Sequence, residues 1–181
     1  MKKFILLLLF FPSAIFAQNM YSVSKGNVSF YSYAPVENIE AHNAQPGSMI
    51  NASTNEIAVV IPVRNFRFAK SLMEEHFNEK YMESEKYPMA SFKGKIKETI
   101  NFSVDSVYDV SAEGTMTIHG VEKPVVLTGK LEVKAGKLIL TSEFKVKLED
   151  YKITVPKLLF ENIAEVIDVK VELNYEPYHK K

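Results

Sequence analysis

Apolar and polar residues alternate along several stretches in the second half of the chain. In the segment 108–118, every even-numbered residue is apolar or small and every odd-numbered residue is polar. The same period of two recurs in the segments 125–133, 138–148 and 163–175. Such a period places one face of a strand in water and the other against a core, which predicts long antiparallel strands. Further strands are predicted at 21–23, 28–33, 56–63 and 91–97.

The length of these strands bears on how the sheet is arranged. At ~3.3 Å per residue, a strand of about ten residues is roughly 33 Å long. Long amphipathic strands joined by short turns favour an up-and-down barrel, with a two-sheet sandwich as the alternative on pattern alone. Three glycines, Gly94, Gly114 and Gly129, lie on the apolar face, where glycine permits the sharp bends that barrel closure needs.

One segment has the period of a helix instead. Between Ala69 and Met82, apolar residues including Phe77 recur at helical spacing on one side, and glutamates occupy the other. We expect this short helix to cap or flank one end of the sheet. The stretch from Ala34 to Asn55 has the weakest pattern and is expected to be a loop region. No repeat or linker divides the chain, which predicts a single domain over residues 18–181.

The first 17 residues have the features of a signal peptide. Lys2 and Lys3 precede an uninterrupted apolar run from Phe4 to Phe11, and a small residue, Ala17, precedes a polar one. We predict cleavage after Ala17, and hence a periplasmic or secreted protein. The leader is too short to span a bilayer comfortably, and no other apolar run approaches the ~20 residues needed, so no transmembrane segment is expected after cleavage.

Removal of this leader changes the charge of the chain. The full sequence carries 22 basic and 22 acidic residues, whereas residues 18–181 retain 20 basic residues against the same 22 acidic ones, a net charge of −2. Nucleic-acid binders usually carry a basic excess, so a nucleic-acid partner is not expected. The chain has no cysteine, which excludes a disulfide framework, a thiolate metal site and a cysteine nucleophile.

Four short segments resemble the YceI-like family. They are the Tyr-Pro motif with its polar approach in 83–92, the pair His76-Phe77, the segment 114–125 and the segment 148–153. The Gly-Val-x-Lys-Pro-Val turn within 114–125 is the most distinctive. The resemblance implies an exported, lipocalin-like antiparallel β-barrel of about eight strands that holds a polyisoprenoid or similar long-chain lipid inside. The chain departs from the family pattern at Tyr21, where the family has Trp, and at Lys152, where it has Gly.

The interior of the predicted barrel is the candidate site. From pattern alone, two interpretations are open, because inward-facing residues either pack as a solid core or line a cavity. The resemblance favours a cavity that holds lipid. The residues predicted to line it are Phe92, Ile96, Met116, Ile118, Leu127, Leu140, Ser142, Phe144, Val146, Val169 and Val171.

Polar residues are rare at inward positions. Glu98, Ser142 and Glu165, together with Lys152, are candidates for contact with a lipid headgroup, but the favoured interpretation is that they sit at strand ends and reach water. Glu98 and Glu165 are also the pair of carboxylates that acid–base chemistry would need, but no catalytic motif accompanies them, so no enzyme activity is expected. His76 and Glu79 have i, i+3 spacing without a third ligand nearby, so neither a metal nor any cofactor other than a bound lipid is expected.

Two functions of different classes follow from these observations. We expect a carrier or storage protein for one long apolar chain, polyisoprenoid or fatty-acid-like, that acts without covalent chemistry. The alternative is a module with a filled barrel that binds an envelope protein or a glycan through its loops. The partners expected are a long-chain lipid and, in a weak association, a second copy of the chain.

Overall fold

Ten strands and one short helix make up most of the described chain. The computed structural model describes residues 19–33, 38–154 and 164–178. The segment assigned to the signal peptide, 1–17, lies outside them, as does Ile163 of the last predicted strand. The strands are β1 (Met20–Ser32), β2 (Ile39–Asn43), β3 (Gly47–Asn51), β4 (Glu56–Pro62), β5 (Arg67–Phe68), β6 (Met89–Ile96), β7 (Ser106–Ile118), β8 (Val121–Lys134), β9 (Lys137–Lys147) and β10 (Val166–Pro177).

The strands form one closed antiparallel sheet. From β6 to β10, each strand is hydrogen-bonded to the next along the chain, and β10 then pairs with β1. That last pairing runs from Tyr21 opposite Pro177 to Tyr31 opposite Asp168. It closes an eight-strand barrel, because β2 and β3 occupy one position in the wall and β4 and β5 occupy another. The prediction of an all-β, up-and-down barrel is confirmed, and the sandwich alternative is wrong.

β2 and β3 correct the prediction of a loop over Ala34–Asn55, of which residues 34–37 lie outside the described residues. Both strands pair antiparallel with β1, and the second continues the register of the first. Between them, the Asn43 side chain donates a hydrogen bond to the Pro62 carbonyl and accepts one from the Gln45 amide. Each strand has only five residues, and the interruption removes the long alternation that marks the other strands.

Two of the hairpins close through two-residue turns. His119 and Gly120 connect β7 to β8, and Ala135 and Gly136 connect β8 to β9. All four residues have positive φ, between 49° and 73°. Two consecutive residues with positive φ match the right-handed twist of paired strands, so both turns hold their strands in one register.

A short helix lies between β5 and β6 in the chain. α1 spans Ser71–His76 and continues as a single π-helical turn, Phe77–Tyr81. The helical segment is therefore slightly shorter than the predicted Ala69–Met82. In the described chain β4 pairs with β6, whereas β5 pairs with β2 alone. The expectation of one short helix that caps or flanks the barrel is confirmed. Two 3₁₀ turns, Val63–Asn65 and Leu148–Tyr151, complete the local structure.

The two ends of the barrel differ. The end that carries the turns at 52–55 and 135–136 is called the packed end, and the end that carries the helical segment 71–81 is called the helix end. At the packed end, large side chains from several strands fill the interior and are almost completely buried. They include Ile50, Ile57, Ile96, Leu131, Val133, Leu138, Leu173 and Tyr175.

One polar contact crosses this packed interior. The Tyr175 hydroxyl lies 2.7 Å from Ser48 Oγ, and Ser48 donates in turn to the Ala58 carbonyl at 2.8 Å. Burial raises the pKa of the Tyr175 hydroxyl, and the hydrogen bond with Ser48 offsets this only in part. The phenol therefore keeps its proton inside the barrel at a pH at which the unfolded chain loses it.

The backbones of β6 and β7 approach each other closely at two glycines. Gly94 and Gly114 lie opposite each other in these strands. A Cβ atom on residue 114 would lie 2.2 Å from the Lys93 carbonyl oxygen and 2.5 Å from Gly94 Cα. No side chain fits at such distances, so the close approach of the two strands depends on glycine.

Replacing Gly114 with alanine should therefore destabilise the barrel. We expect Gly114→Ala to lower the free energy of unfolding by about 3 kcal/mol, because the backbone of β6 must move to admit the methyl group. Urea unfolding followed by circular dichroism measures the change. In the control, Gly136→Asn, the new Cβ has nothing within 4 Å and asparagine tolerates positive φ, so a cost below about 1 kcal/mol is expected. Equal costs for the two variants would contradict the steric argument.

The buried Tyr175 hydroxyl should make stability fall in alkali. Because its pKa is higher in the folded than in the unfolded state, its contribution is complete at lower pH and is lost as pH rises above about 10. Tyr175→Phe should cost about 1 kcal/mol at neutral pH, through the lost hydrogen bond, yet lose less stability above that pH. Urea unfolding at neutral and alkaline pH tests this, and an equal alkaline loss in both proteins would refute it.

Candidate functional site

A cavity of about 540 Å³ lies inside the barrel and extends to the helix. All eleven residues predicted from the sequence to line the interior lie on its wall. Their contact with a lipid stays a prediction. The pattern alone allowed either a packed core or a cavity. Both are present, because the barrel is solid at the packed end and hollow toward the helix end.

The burial of inward-facing side chains changes along the strands. On β10, Leu173 is completely buried, whereas Val169 and Val171, nearer the helix end, are only partly buried. On β1, Val28 is buried and Phe30 is partly buried. Val169, Val171 and Phe30 lie inside the barrel and yet remain accessible, because they face the cavity. A concave wall of this apolar character is typical of a small-molecule site.

Part of the cavity wall, mainly in the first strands and the helix, was not predicted from the sequence. Ile57, Val59 and Ile61 of β4 line the cavity and alternate with outward residues, so the period of two could have identified them. The apolar stripe of the helix was recognised but not assigned to the interior. Other missed wall residues belong to short or interrupted segments that carry no long alternation. They include Val28, Phe30, Ile39, Phe66 and Phe68.

Phe77 attaches the helix to the strands. Its ring centroid lies 5.5 Å from that of Phe30, 5.5 Å from that of Phe66 and 5.0 Å from that of Phe68. Phe30 also contacts the other two rings, so the four side chains form one phenylalanine cluster. Aromatic pairs at such separations contribute about 0.5–1.5 kcal/mol each beyond their burial. No residue of the helical segment is fully buried, and the phenylalanine cluster joins it to β1, Phe66 and β5.

Removing the Phe77 ring should therefore release the helix and leave the barrel intact. We expect Phe77→Ala to speed amide hydrogen exchange in the segment 71–81 at least about tenfold, while amides of β7 to β9 keep their protection. Leu72→Ala is the matched control on the same helix, because Leu72 is 59% exposed and lies outside the phenylalanine cluster. Equal acceleration by both substitutions, or loss of protection throughout the barrel, would refute this role of Phe77.

Few polar groups interrupt the apolar wall. Ser142, one of the predicted headgroup contacts, does line the cavity, and its hydroxyl donates to the Thr128 carbonyl. Ser32 Oγ accepts a hydrogen bond from the Ala164 amide. Both hydroxyls are thus satisfied within the protein. The other wall residues with polar side chains are Lys70, His76, Tyr81, Ser91 and Thr128.

The other three predicted headgroup contacts do not reach the cavity wall. Glu98 lies beyond β6 at the packed end, and its carboxylate accepts hydrogen bonds from the Ser111 amide and hydroxyl, both at 2.7 Å. These hydrogen bonds hold the pKa of Glu98 below its usual value. Glu165 and Lys152 lie at the helix end but are exposed and off the wall. The three residues lie beyond strand ends, as the favoured interpretation of the sequence expected.

The positions of Glu98 and Glu165 also rule out this pair of carboxylates for acid–base chemistry. Glu98 follows β6 at the packed end, whereas Glu165 precedes β10 at the helix end. Groups at opposite ends of a barrel cannot act on one substrate atom. His76 is on the cavity wall, but Glu79 is exposed and is not. Within residues 19–33, 38–154 and 164–178, no cluster of three or more His, Cys, Asp or Glu side chains is arranged to hold a metal ion.

Several of the residues that carry the family resemblance meet at one corner of the helix end. His119 Nε2 lies 3.0 Å from Glu83 Oε2, and Nδ1 lies 3.1 Å from the Tyr151 carbonyl oxygen. The imidazole also packs against the Tyr87 ring, with centroids 4.5 Å apart. A Cβ on residue 120 would lie 2.5 Å from Tyr87 Cε1, so Gly120 is needed there for space as well as for its positive φ. These side chains fix the turns beside the cavity, whereas other residues of the same motifs, such as Phe92 and Met116, line it.

No helix in the described part of the chain is both long and apolar enough to cross a membrane.

Comparison with known proteins agrees with this architecture. The model of the YceI-like domain matches residues 17–175. A polyisoprenoid binding domain from Saccharophagus degradans, implicated in plant cell wall breakdown, has a TM-score of 0.72 at 16% identity, over 87% of this chain and 98% of that one. BcnA from Burkholderia cenocepacia has a TM-score of 0.70 at 13% identity, over 82% and 95%. A YCEI protein from Campylobacter jejuni has a TM-score of 0.62 at 16% identity, over 82% and 90%.

At these identities the structural likeness shows the fold alone. No curated protein matches the chain significantly.

Proposed function

Because the chain belongs to the YceI-like family, we propose that it holds one long apolar chain inside the barrel, as a carrier or storage protein without covalent chemistry. The observation that carries this proposal is the apolar cavity that extends to the helix. The similar domain from Saccharophagus degradans is described as polyisoprenoid binding. By extension, the ligand of this chain is a polyisoprenoid or a fatty-acid-like lipid.

The physical basis of binding is the transfer of hydrocarbon from water into the barrel. Each buried CH₂ group contributes about 0.8 kcal/mol, so a long chain is poorly tolerated in water and strongly favoured in an apolar cavity. The cavity volume of about 540 Å³ falls in the range of roughly 300–1,000 Å³ that is typical of single small-molecule sites. Met, Phe and Leu side chains on the wall adapt to the shape of a flexible chain without forming covalent bonds to it.

We further propose that the protein works in the periplasm or outside the cell. The features of a signal peptide in residues 1–17 support this location. An apolar chain that leaves one membrane needs shelter from water on its way to another site, and a barrel that encloses it supplies that shelter.

The alternative function is a module with a filled barrel that binds a protein or a glycan. The accessible side chains of Val169, Val171 and Phe30 count against a filled barrel, because they border open space and not a packed neighbour.

Lipid content is the direct test of the proposal. The protein without residues 1–17 would be purified without detergent, extracted with organic solvent and analysed by mass spectrometry. We expect one long-chain lipid per protein, or uptake of an added isoprenoid quinone or long-chain fatty acid by protein purified empty. Absence of both would overturn the proposal.

Filling the cavity should abolish uptake without unfolding the barrel. Val169→Trp places an indole in the cavity, so lipid affinity should fall at least about tenfold with little change in unfolding free energy. Val126→Trp is the matched control, because Val126 is 63% exposed on the outer face of β8, and it should bind lipid normally. The chain has no native tryptophan, so fluorescence reports the introduced indole alone. Normal uptake by Val169→Trp would place the ligand elsewhere.

A further inference from the structure

The cavity ends toward the packed end at the same height on two neighbouring strands. On β9, Leu140 lies on the cavity wall, whereas Leu138, the next inward residue, does not. On β10, Leu173 lies on the wall and Tyr175 does not. Leu138 and Tyr175 are almost completely buried, so the hollow part of the barrel stops before it reaches them. Leu140 and Leu173 therefore belong to the floor of the cavity.

The floor is one row of the sheet in which large side chains stand next to each other. Leu140 pairs with Leu173 across β9 and β10, and with Leu131 across β8 and β9. Leu173 in turn lies opposite Gly26 of β1, and a Cβ atom on residue 26 would be 2.7 Å from Leu173 Cδ2. The Leu173 side chain thus occupies space that a side chain at position 26 would take.

The next row toward the helix end is made of smaller side chains. Gly129 pairs with Ser142, and Ser142 pairs with Val171. All three residues line the cavity. Because glycine and serine project little into the barrel, the interior widens directly beyond the leucines. It changes from filled to open within two residues, or about 7 Å, along these strands.

Within the leucine row, Leu140 borders the open space most directly. It keeps 9% of its surface exposed, whereas Leu131 and Leu173 are completely buried. Leu140 lies on the cavity wall and Leu131 does not. The exposed part of Leu140 is therefore the surface that the end of an enclosed chain would meet.

The floor offers no partner to a polar group. From the opposite side of the sheet, Ile57 of β4 and Ile96 of β6 border the same end of the cavity, and both are almost completely buried. These side chains, like those of Leu140 and Leu173, contain only hydrocarbon. A headgroup placed among them would lose its water without gaining a hydrogen bond. The apolar terminus of a lipid therefore lies against the floor, with the headgroup toward the helix end.

We propose that Leu140 sets the length of the lipid chain that the barrel encloses. The apolar terminus of the chain stops against Leu140, and carbons beyond the capacity of the cavity remain outside it on the side of the headgroup. Leu140 is then a specificity-determining residue, whose replacement changes the enclosed length and not the class of ligand. This inference rests on the proposed function, because it requires the chain to lie inside the barrel.

A series of unbranched primary alcohols measures the enclosed length. Octanol through eicosanol would be titrated into delipidated protein, and displacement of a fluorescent probe would be followed. Each added CH₂ group should tighten binding about fourfold while it is buried. Once the chain fills the cavity, affinity should level off, because further carbons stay in water. The chain length at which affinity levels off is called the breakpoint.

Two substitutions should move the breakpoint in opposite directions. Leu140→Ala deepens the cavity by the volume of an isopropyl group, so the breakpoint should rise by about two or three carbons. Ser142→Leu adds a large side chain one row nearer the helix end, so the breakpoint should fall to shorter chains. Urea unfolding checks that each variant is folded, and Ser142→Leu keeps the test available if Leu140→Ala does not fold.

Leu138→Ala is the matched control. It makes the same change on the same strand, one row deeper and off the cavity wall. We expect it to destabilise the barrel, because a buried void is created, and to keep the native breakpoint.

The outcomes separate this inference from the function on which it rests. Failure of every alcohol to bind would overturn the proposed function itself. Three results would leave lipid binding in place and overturn the role of Leu140. They are affinity that rises through the whole series without a breakpoint, an unchanged breakpoint in either folded variant, and an equal shift in Leu138→Ala.

Discussion

The pairing of β1 with β10 is the constraint on which the rest of the structure depends. It joins the first and last strands of the described chain, so that no long strand presents an unpaired edge to another molecule. The chain has no cysteine, and this ladder of backbone hydrogen bonds does the work that a covalent cross-link does in many exported proteins. Closure also separates an interior from the solvent, and the size of the inward side chains then decides how much of that interior is filled.

An eight-strand barrel is just wide enough for its side chains to meet in the middle or to leave room for one small ligand. This chain does both, at different heights. Near the packed end the inward residues are large, as at Leu131 and Tyr175, and they meet. Toward the helix end, small residues such as Ala112, Gly129 and Ser142 enter the wall, and the space between opposite strands stays open. The phenylalanine cluster lines this space at the helix end.

The alternation of the strands explains which parts of the cavity wall could be predicted from the sequence. Once one residue of an alternating segment is known to face inward, the strand period assigns all the others, which is why the predicted residues from Phe92 to Val171 lie on the cavity wall. The pattern gives the direction of a side chain but not the distance to the wall opposite, so it could not separate cavity from core. It also failed where regular pairing is interrupted, at the short strands β2 and β3.

The turn at Ala135 and Gly136 has a practical consequence. It is exposed and lies at the packed end, a full strand length from the helix end toward which the cavity extends. Exposed hairpin tips are where proteins best accept labels, tags and inserted sequence. A linker attached at this turn would immobilise the barrel on a solid support with its helix end facing the solution, so that the protein could serve as an oriented layer without any change to the residues around the cavity.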